Sequence, residues 1–320
     1  MESSGVRPAR RRPARAALAA LVVLGGTAMG TACVTARTQP DAVAVSSAGA
    51  SPSATTRAQA SVEPVAQPQV VDHDGLLAEA MRSVEVADGV SVSVAVLDLE
   101  SGSSAVYGDG GFDTASIVKV DILAALLLQA QDAGRSLTAS ERAYATAMIE
   151  RSDNASASAL WRSIGQADGL DAANRRFGLT DTVGGDGMLW GLTRTTAADQ
   201  LTLLRQVFEA DAADSELDEA SRTYLEGLMG DIAADQDWGV SAAADGSAWA
   251  LKNGWLPRSA TGLWDVNSIG RVTVGGRDYL VAALSDGNAT KAAGVSVVEA
   301  AARAAVPVPA GAATTPSPAP

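Results

Sequence analysis

The hydrophobic positions of this chain change period twice. In "GVSVSVAVLDLESGSSAVYG", Val90, Val92, Val94 and Val96 alternate with the small residues Ser91, Ser93 and Ala95, a period of two that predicts a strand. Ser101-Gly102 makes a turn into a second strand, and a helical stretch, "GLLAEAMRSVEV", precedes the pair. From about residue 114 to 232 the pattern is helical, and "TASE" at Thr138–Glu141 is a capping box that starts a helix before "RAYATAMIERS". The period of two returns in "AWALKNGW", "WDVNSIGRVTVGG" and "RDYLVAALSDG", and "AAGVSVVEAAARAA" closes the pattern as a helix. Strands on both sides of a helical block predict an α+β fold. One antiparallel sheet would be closed by the two terminal segments, with an all-helical lobe inserted between them. The cleft between sheet and lobe is the expected place for a ligand.

The ends lack such periodicity. Residues 1–33 run from "VRPARRRPAR" through the apolar "AALAALVVLGG" to small residues, the layout of a secretory signal peptide. Residues 34–74 are rich in Ala, Ser, Thr, Gln and Pro and read as a disordered tether; 307–320, "VPVPAGAATTPSPAP" with its first residue in the preceding segment, reads as a disordered tail. The folded body expected is 75–306. Cys33, within "MGTAC", resembles the lipidated cysteine of a bacterial lipobox, although Gly30 stands where an aliphatic residue is usual. Arg10, Arg11 and Arg12 leave both the general and the twin-arginine export routes open. The expectation is an exported, extracytoplasmic protein, anchored through Cys33 to the outer face of the membrane or else secreted.

Charge and cysteine narrow the chemistry. With one cysteine the fold can hold no internal disulfide. Its net charge is −13, and loss of residues 1–32 removes five arginines and one glutamate, leaving −17. Such an acidic body has no means of holding phosphate backbones by charge, so nucleic acid is excluded as a partner. The one histidine, His73, lies at the tether's end, which removes the usual Ser-His-Asp triad and the common zinc sites; an esterase using His73 is the outlying alternative. No Walker or dinucleotide glycine pattern follows a strand, and no cofactor or metal is expected. Chemistry must come from Ser, Lys, Asp, Glu or Asn.

Three short motifs supply those residues. Ser116 and Lys119, in "FDTASIVKVDILAALLLQAQ", are three apart at the start of an apolar helix and so project from one face. A lysine can take a serine's proton when burial or a second cation lowers its pKa, and the apolar run supplies burial. "SDNAS", Ser152–Ser156, breaks the helical pattern with three residues that favour caps and turns, which by itself means a helix-helix corner. "ALKNGW" puts Lys252, Asn253 and Gly254 in an alternating strand, where the glycine permits close approach of a substrate. Each motif is common alone; their order on helix, corner and strand is the signal.

That order, S-x-x-K, S-D-N, K-x-G, resembles the active-site signature of class A β-lactamases and penicillin-binding proteins. The segments "ASIVKVDILAALL", "SDNASASALWRSIG", "DGLDAANRRFGLTDT" and "TRTTAADQLTLLRQVF" are also similar to the family's, so the resemblance covers roughly 75–305. It implies a β-lactamase/transpeptidase-like fold with a five-stranded antiparallel sheet. By the same resemblance Ser116 is acylated and Lys119 is the candidate base. Ser152 relays a proton to the leaving nitrogen, Asp153 pins the corner, and Asn154 binds the substrate amide and the lysine. Lys252 attracts a substrate carboxylate, and the backbone N–H groups of Ser116 and Trp255 form an oxyanion hole, with Asn253 and Gly254 beside the substrate.

Two departures stand out. Asn253 replaces the hydroxyl residue of K-T-G or K-S-G. The loop "FGLTDTVGGDGMLWGLTRTT" looks short and contains no glutamate, where class A enzymes keep the deacylating one. Asp186 is the candidate substitute base, with Asp181 the loop's other acid. The expectation is a monomeric serine hydrolase acting through acyl-Ser116 on β-lactam or peptidoglycan-like amides, with slow deacylation. The alternative is a surface binding protein for the same ligands without turnover.

Overall fold

The computed structural model describes residues 71–209, 215–246 and 248–311. Strand β1 (Ser91–Asp98) follows the valine alternation, yet from Ser93 onward both of its faces are buried. Val94 and Val96 enter one hydrophobic cluster and Ala95 and Leu97 another. The alternation therefore separates two cores rather than core from water, because helices cover both faces of the sheet.

The sheet adds β2 (Ser104–Tyr107), β5 (Trp249–Pro257), β6 (Trp264–Val274) and β7 (Arg277–Asn288) in the order β2-β1-β7-β6-β5, every pair antiparallel. Sequence neighbours β6 and β7 pair directly, whereas β1 reaches β7 across the whole inserted lobe. Helices α1 (His73–Met81) and α8 (Lys291–Ala305) lie on one face, where Leu77, Val298 and Ala302 meet Val94, Val281 and Val266. The fold is thus the expected α+β arrangement, with a five-stranded antiparallel sheet and terminal helices against it.

The lobe on the other face is built around α2 (Val118–Asp132), whose side chains are buried nearly all round, as a helix apolar on every side must be. Around it pack α3 (Ala139–Glu150), α4 (Asn154–Ile164), α5 (Gln166–Phe177) and α7 (Glu219–Gly230), while α6 (Ala197–Phe208) bridges lobe and sheet. The capping box forms as read: Glu141 N donates to Thr138 Oγ1 at 3.2 Å and Thr138 N to the Glu141 carboxylate at 2.7 Å. Between α3 and α4, Ser152 adopts φ 55° and Asp153 caps α4 by accepting from Ser156 N at 2.7 Å. The corner is therefore turned by one left-handed residue and one helix cap.

Three boundaries differ from the sequence expectation. His73 and Asp74, assigned to the tether, belong to α1, which Asp72 caps by accepting from Gly75 N at 2.9 Å. The segment after α8, assigned to the tail from 307, continues in turns to Gly311 with Pro309 buried. A strand just before the helical block, β3 (Phe112–Asp113), also pairs with one inside it, β4 (Arg194–Thr195), in a ribbon too short to show a period of two. Cys33, the signal segment and the tether up to residue 70 lie outside the described residues. Among the described residues no helix is long and apolar enough to cross a membrane.

A buried polar chain fastens the loop after α5 to the lobe. Gln200 Nε2 donates to Asp121 Oδ1 (3.1 Å) and Thr195 Oγ1 (3.0 Å), which lies 2.8 Å from Thr182 Oγ1; Thr182 in turn donates to Asp199 (2.7 Å). Burial pushes the Asp121 carboxyl up to about 7. This chain holds the base of the loop that walls the cleft.

Candidate active site

Ser116 sits in a 3-10 turn, Ala115–Ile117, that runs directly into α2. Ala115 takes φ 48°, a left-handed conformation that costs an L-residue about 1–2 kcal/mol. Long-range contacts hold it there. Asn267 on β6, fully buried, donates through Nδ2 to the carbonyls of Asp113 (2.9 Å) and Thr114 (3.1 Å) and accepts from Ser285 N at 3.1 Å. Thr114 N donates to Thr193 O at 2.9 Å. The Asp113 carboxylate pairs with Arg194 at 3.5 Å and also with Arg258. No motif marks Asn267, and sequence reading missed it, since its partners on the turn, Asp113 and Thr114, lie more than 150 residues away. Each buried group left without a partner costs about 1–3 kcal/mol. Asn267→Ala is expected to lower stability by about 2–4 kcal/mol in chemical denaturation. An unchanged midpoint would show that these bonds do not hold the turn.

Lys119 stands one turn further on and is fully buried. Its Nζ lies 2.9 Å from Ser116 Oγ, 2.9 Å from Ser152 Oγ, 2.8 Å from Ser152 O and 2.8 Å from Asn154 Oδ1. Four oxygens exceed the three donors of an ammonium. Ser152 O and Asn154 Oδ1 can only accept, so they take the two N–H bonds of a neutral amine. The single lone pair is then left to accept from one hydroxyl, that of Ser116 or that of Ser152. Burial lowers the Lys119 pKa to about 7, against the opposing pull of the Asp153 carboxylate. The Trp190 ring closes one side, its centroid 5.1 Å from Nζ.

Strand β5 brings Lys252, Gly254 and Trp255 to the same place. Lys252 is buried and donates to Asn253 O at 3.0 Å; burial, then the nearby Lys119 charge, holds its pKa well below the ordinary lysine value. Gly254 has no room for a side chain: a Cβ would stand 2.7 Å from Ser116 N, 2.7 Å from Thr114 O and 2.8 Å from Ile117 N. The strand thus presses against the backbone of the nucleophilic serine.

Two expected site residues are not there. Asn253, expected beside the substrate, turns to the opposite face, where its Nδ2 donates to Gln236 O (2.8 Å) and Trp238 O (2.7 Å). The reason is strand alternation: with Lys252 facing the lobe, its neighbour must face α8. Asp186, expected as a substitute base, is exposed on its loop and does not line the cavity at Ser116; Asp181 is likewise exposed. The loop that carries Asp186 instead contributes apolar residues. Its tip is clipped to the lobe, Trp161 Nε1 donating to Gly187 O at 2.7 Å and Trp190 Nε1 to Ser158 Oγ at 3.1 Å. His73, on α1, is not among the cavity's lining residues either. The cavity itself measures about 350 Å³ and opens over Ser116 and Asn154.

Comparison with known proteins bears on the fold and the family. A search of curated proteins finds no match. Among solved structures, a mutant of PBP-A described as an acyl-enzyme complex with penicillin-G aligns with TM-score 0.61 at 22% identity, over 72% of this chain and 94% of that one. A β-lactamase from Chitinophaga pinensis aligns with TM-score 0.61 at 18% identity, over 73% and 98%. A β-lactamase from Xanthomonas campestris pv. campestris aligns with TM-score 0.57 at 23% identity, over 73% and 98%. At these identities the likeness is one of fold. The sequence model described as the Beta-lactamase enzyme family matches residues 138–307, a span that holds Ser152 and Lys252 and begins after Ser116 and Lys119. With more than half of its length matched, the chain belongs to the Beta-lactamase enzyme family.

Proposed function

We propose that the protein is an exported serine hydrolase that forms an acyl-enzyme on Ser116 from β-lactam or peptidoglycan-like amides and releases the acyl group slowly. The observation that carries this reading is the Lys119 amine, 2.9 Å from Ser116 Oγ, with its pKa lowered to about 7. In acylation, the Lys119 lone pair takes the Ser116 proton as Oγ attacks the carbonyl carbon. The carbonyl oxygen gains the negative charge, and the N–H groups of Ser116 and Trp255 are assigned to receive it. As the C–N bond breaks, the Ser152 hydroxyl passes its proton to the leaving nitrogen and is reprotonated by Lys119. Asn154, whose Oδ1 is engaged by Lys119, keeps its Nδ2 for a substrate carbonyl. Lys252, buried with its pKa held well below the ordinary lysine value, is assigned to receive a substrate carboxylate, whose negative charge favours the protonated amine.

Water must be activated to release the acyl group, and neither Asp181 nor Asp186 reaches the cavity. That supports slow deacylation. Two lysines buried together beside a serine are costly to fold, and a non-turnover binding protein gains nothing from them. The basic and apolar segments before Cys33 support export, and the cysteine itself supports a lipid anchor with residues 34–70 as tether.

Intact-protein mass spectrometry after brief exposure to penicillin G, with peptide mapping, tests the reading. The expected result is one drug mass on Ser116 that persists for hours after excess drug is removed. Loss of the adduct within seconds would overturn slow deacylation; absence of any adduct would overturn β-lactams as acyl donors.

A further inference from the structure

The walls of the cleft point to the chemistry of the acyl group. Around Ser116 and Asn154 the cavity is bounded by Met188, Leu189, Trp190, Leu192, Trp255 and Leu256, and among the described residues lining it there is no Asp, Glu, Lys or Arg. Leu189 is 56% exposed and Met188 40%, large apolar side chains left open to water on the rim of a reactive site. Exposed apolar groups gathered at a concave site mark a surface that expects an apolar occupant.

The wall is also preformed. Leu189 N donates to Asp186 O at 2.9 Å and Leu192 N to Leu189 O at 2.8 Å, which curls the segment 186–192 on itself. Gly185 admits no side chain, since a Cβ would lie 2.2 Å from Leu189 O. The clips from Trp161 and Trp190 then fix the curled segment to α4. Across the cleft β5 contributes Leu256, whereas the Trp255 ring turns with Asn253 to the α8 side, where the Lys291 ammonium lies 3.7 Å from its centroid and Trp238 5.9 Å away centroid to centroid.

We infer that the cleft selects acyl donors whose acyl group carries a bulky, uncharged apolar side chain, aromatic ones above all, and turns away acyl groups bearing a carboxylate. This rests on the acyl-Ser116 reading and adds its specificity. An apolar acyl chain is desolvated against Leu189, Met188 and Leu256 at a gain. A carboxylate in the same place loses water and finds no cation on the wall.

The test uses three thioesters with one leaving group and phenylacetyl, acetyl or succinyl as acyl group, the rate of Ser116 acylation being read from thiol release and intact mass. Phenylacetyl is expected to react at least about tenfold faster than acetyl, and succinyl no faster than acetyl. Leu189→Asp, a change on a wall side chain outside the reacting groups, is expected to erase the phenylacetyl preference, read as the ratio of the phenylacetyl to the acetyl rate within the variant. Equal rates for all three esters, a faster succinyl ester, or a preference that survives Leu189→Asp would overturn the inference while leaving acyl-Ser116 intact. No adduct from any of the three would overturn the acyl-Ser116 reading and this inference with it.

Discussion

Lys119→Met is expected to slow acylation of Ser116 by about 10²–10⁴-fold, the range for losing a positioned general base. Methionine is unbranched and one atom shorter, and it ends in a methyl group with no basic nitrogen. The wild-type enzyme should also show a pH signature that the variant lacks. The reactive form is the neutral amine, and burial moves its pKa from 10.5 down to about 7. Acylation should therefore rise with pH through a midpoint near 7, level off above it, and fail as the amine is protonated below. At the unperturbed value only roughly one lysine in three thousand would be neutral at pH 7, so the rate would still be climbing beyond pH 9. Penicillin-adduct formation measured from pH 5 to 9 checks both points. A midpoint near 10, or a wild-type inflection kept in Lys119→Met, would remove Lys119 as the base.

Gly254→Ala should be nearly as damaging, by about 10²–10³-fold in acylation rate, the usual worth of one oxyanion donor. The added Cβ meets Ser116 N, Thr114 O and Ile117 N, all backbone atoms, so no flexible side chain can yield. β5 must draw back from the 3-10 turn, and with it Trp255 N–H moves away from Ser116 N–H. The pH midpoint should stay near 7, because Ser152 and Asn154, which hold the Lys119 amine, lie on the corner and the first turn of α4 and not on β5. Gly227→Ala on exposed α7, where a Cβ meets nothing within 4 Å, is the control; it should leave acylation unchanged and stabilise the helix by about 0.5–1 kcal/mol. Normal acylation in Gly254→Ala would show that the contact between β5 and the turn is not needed.

The part of the site that was legible in the sequence is the part whose geometry is local. Three residues along a helix put Ser116 and Lys119 on one face, and the same spacing rules gave the Thr138 capping box; the S-D-N break read as a corner is the place where Asp153 caps α4. The periods of strands and helices indicated an α+β sheet with an inserted helical lobe, and the resemblance carried by the three motifs in order implied its β-lactamase-like form. Trp190 and the apolar wall were missed because loop residues have no period, and their meaning comes from the cleft they border.

By itself, then, the sequence determined the order of strands and helices, the acid-rich body without metal-site spacing, and the pairing of Ser116 with Lys119. Only the tertiary structure decided which side of β5 faces the lobe, which sends Lys252 to the site and Asn253 behind the sheet. It alone decided that the alternating valines of β1 separate two cores, that Asp186 stays in solvent, and that Asn267 reaches across from β6 to hold the strained turn at Ala115. Local spacing is carried by neighbouring residues on one element. Facing, burial and long-range hydrogen bonds depend on which elements pack on each side, and that is settled only when distant segments come together.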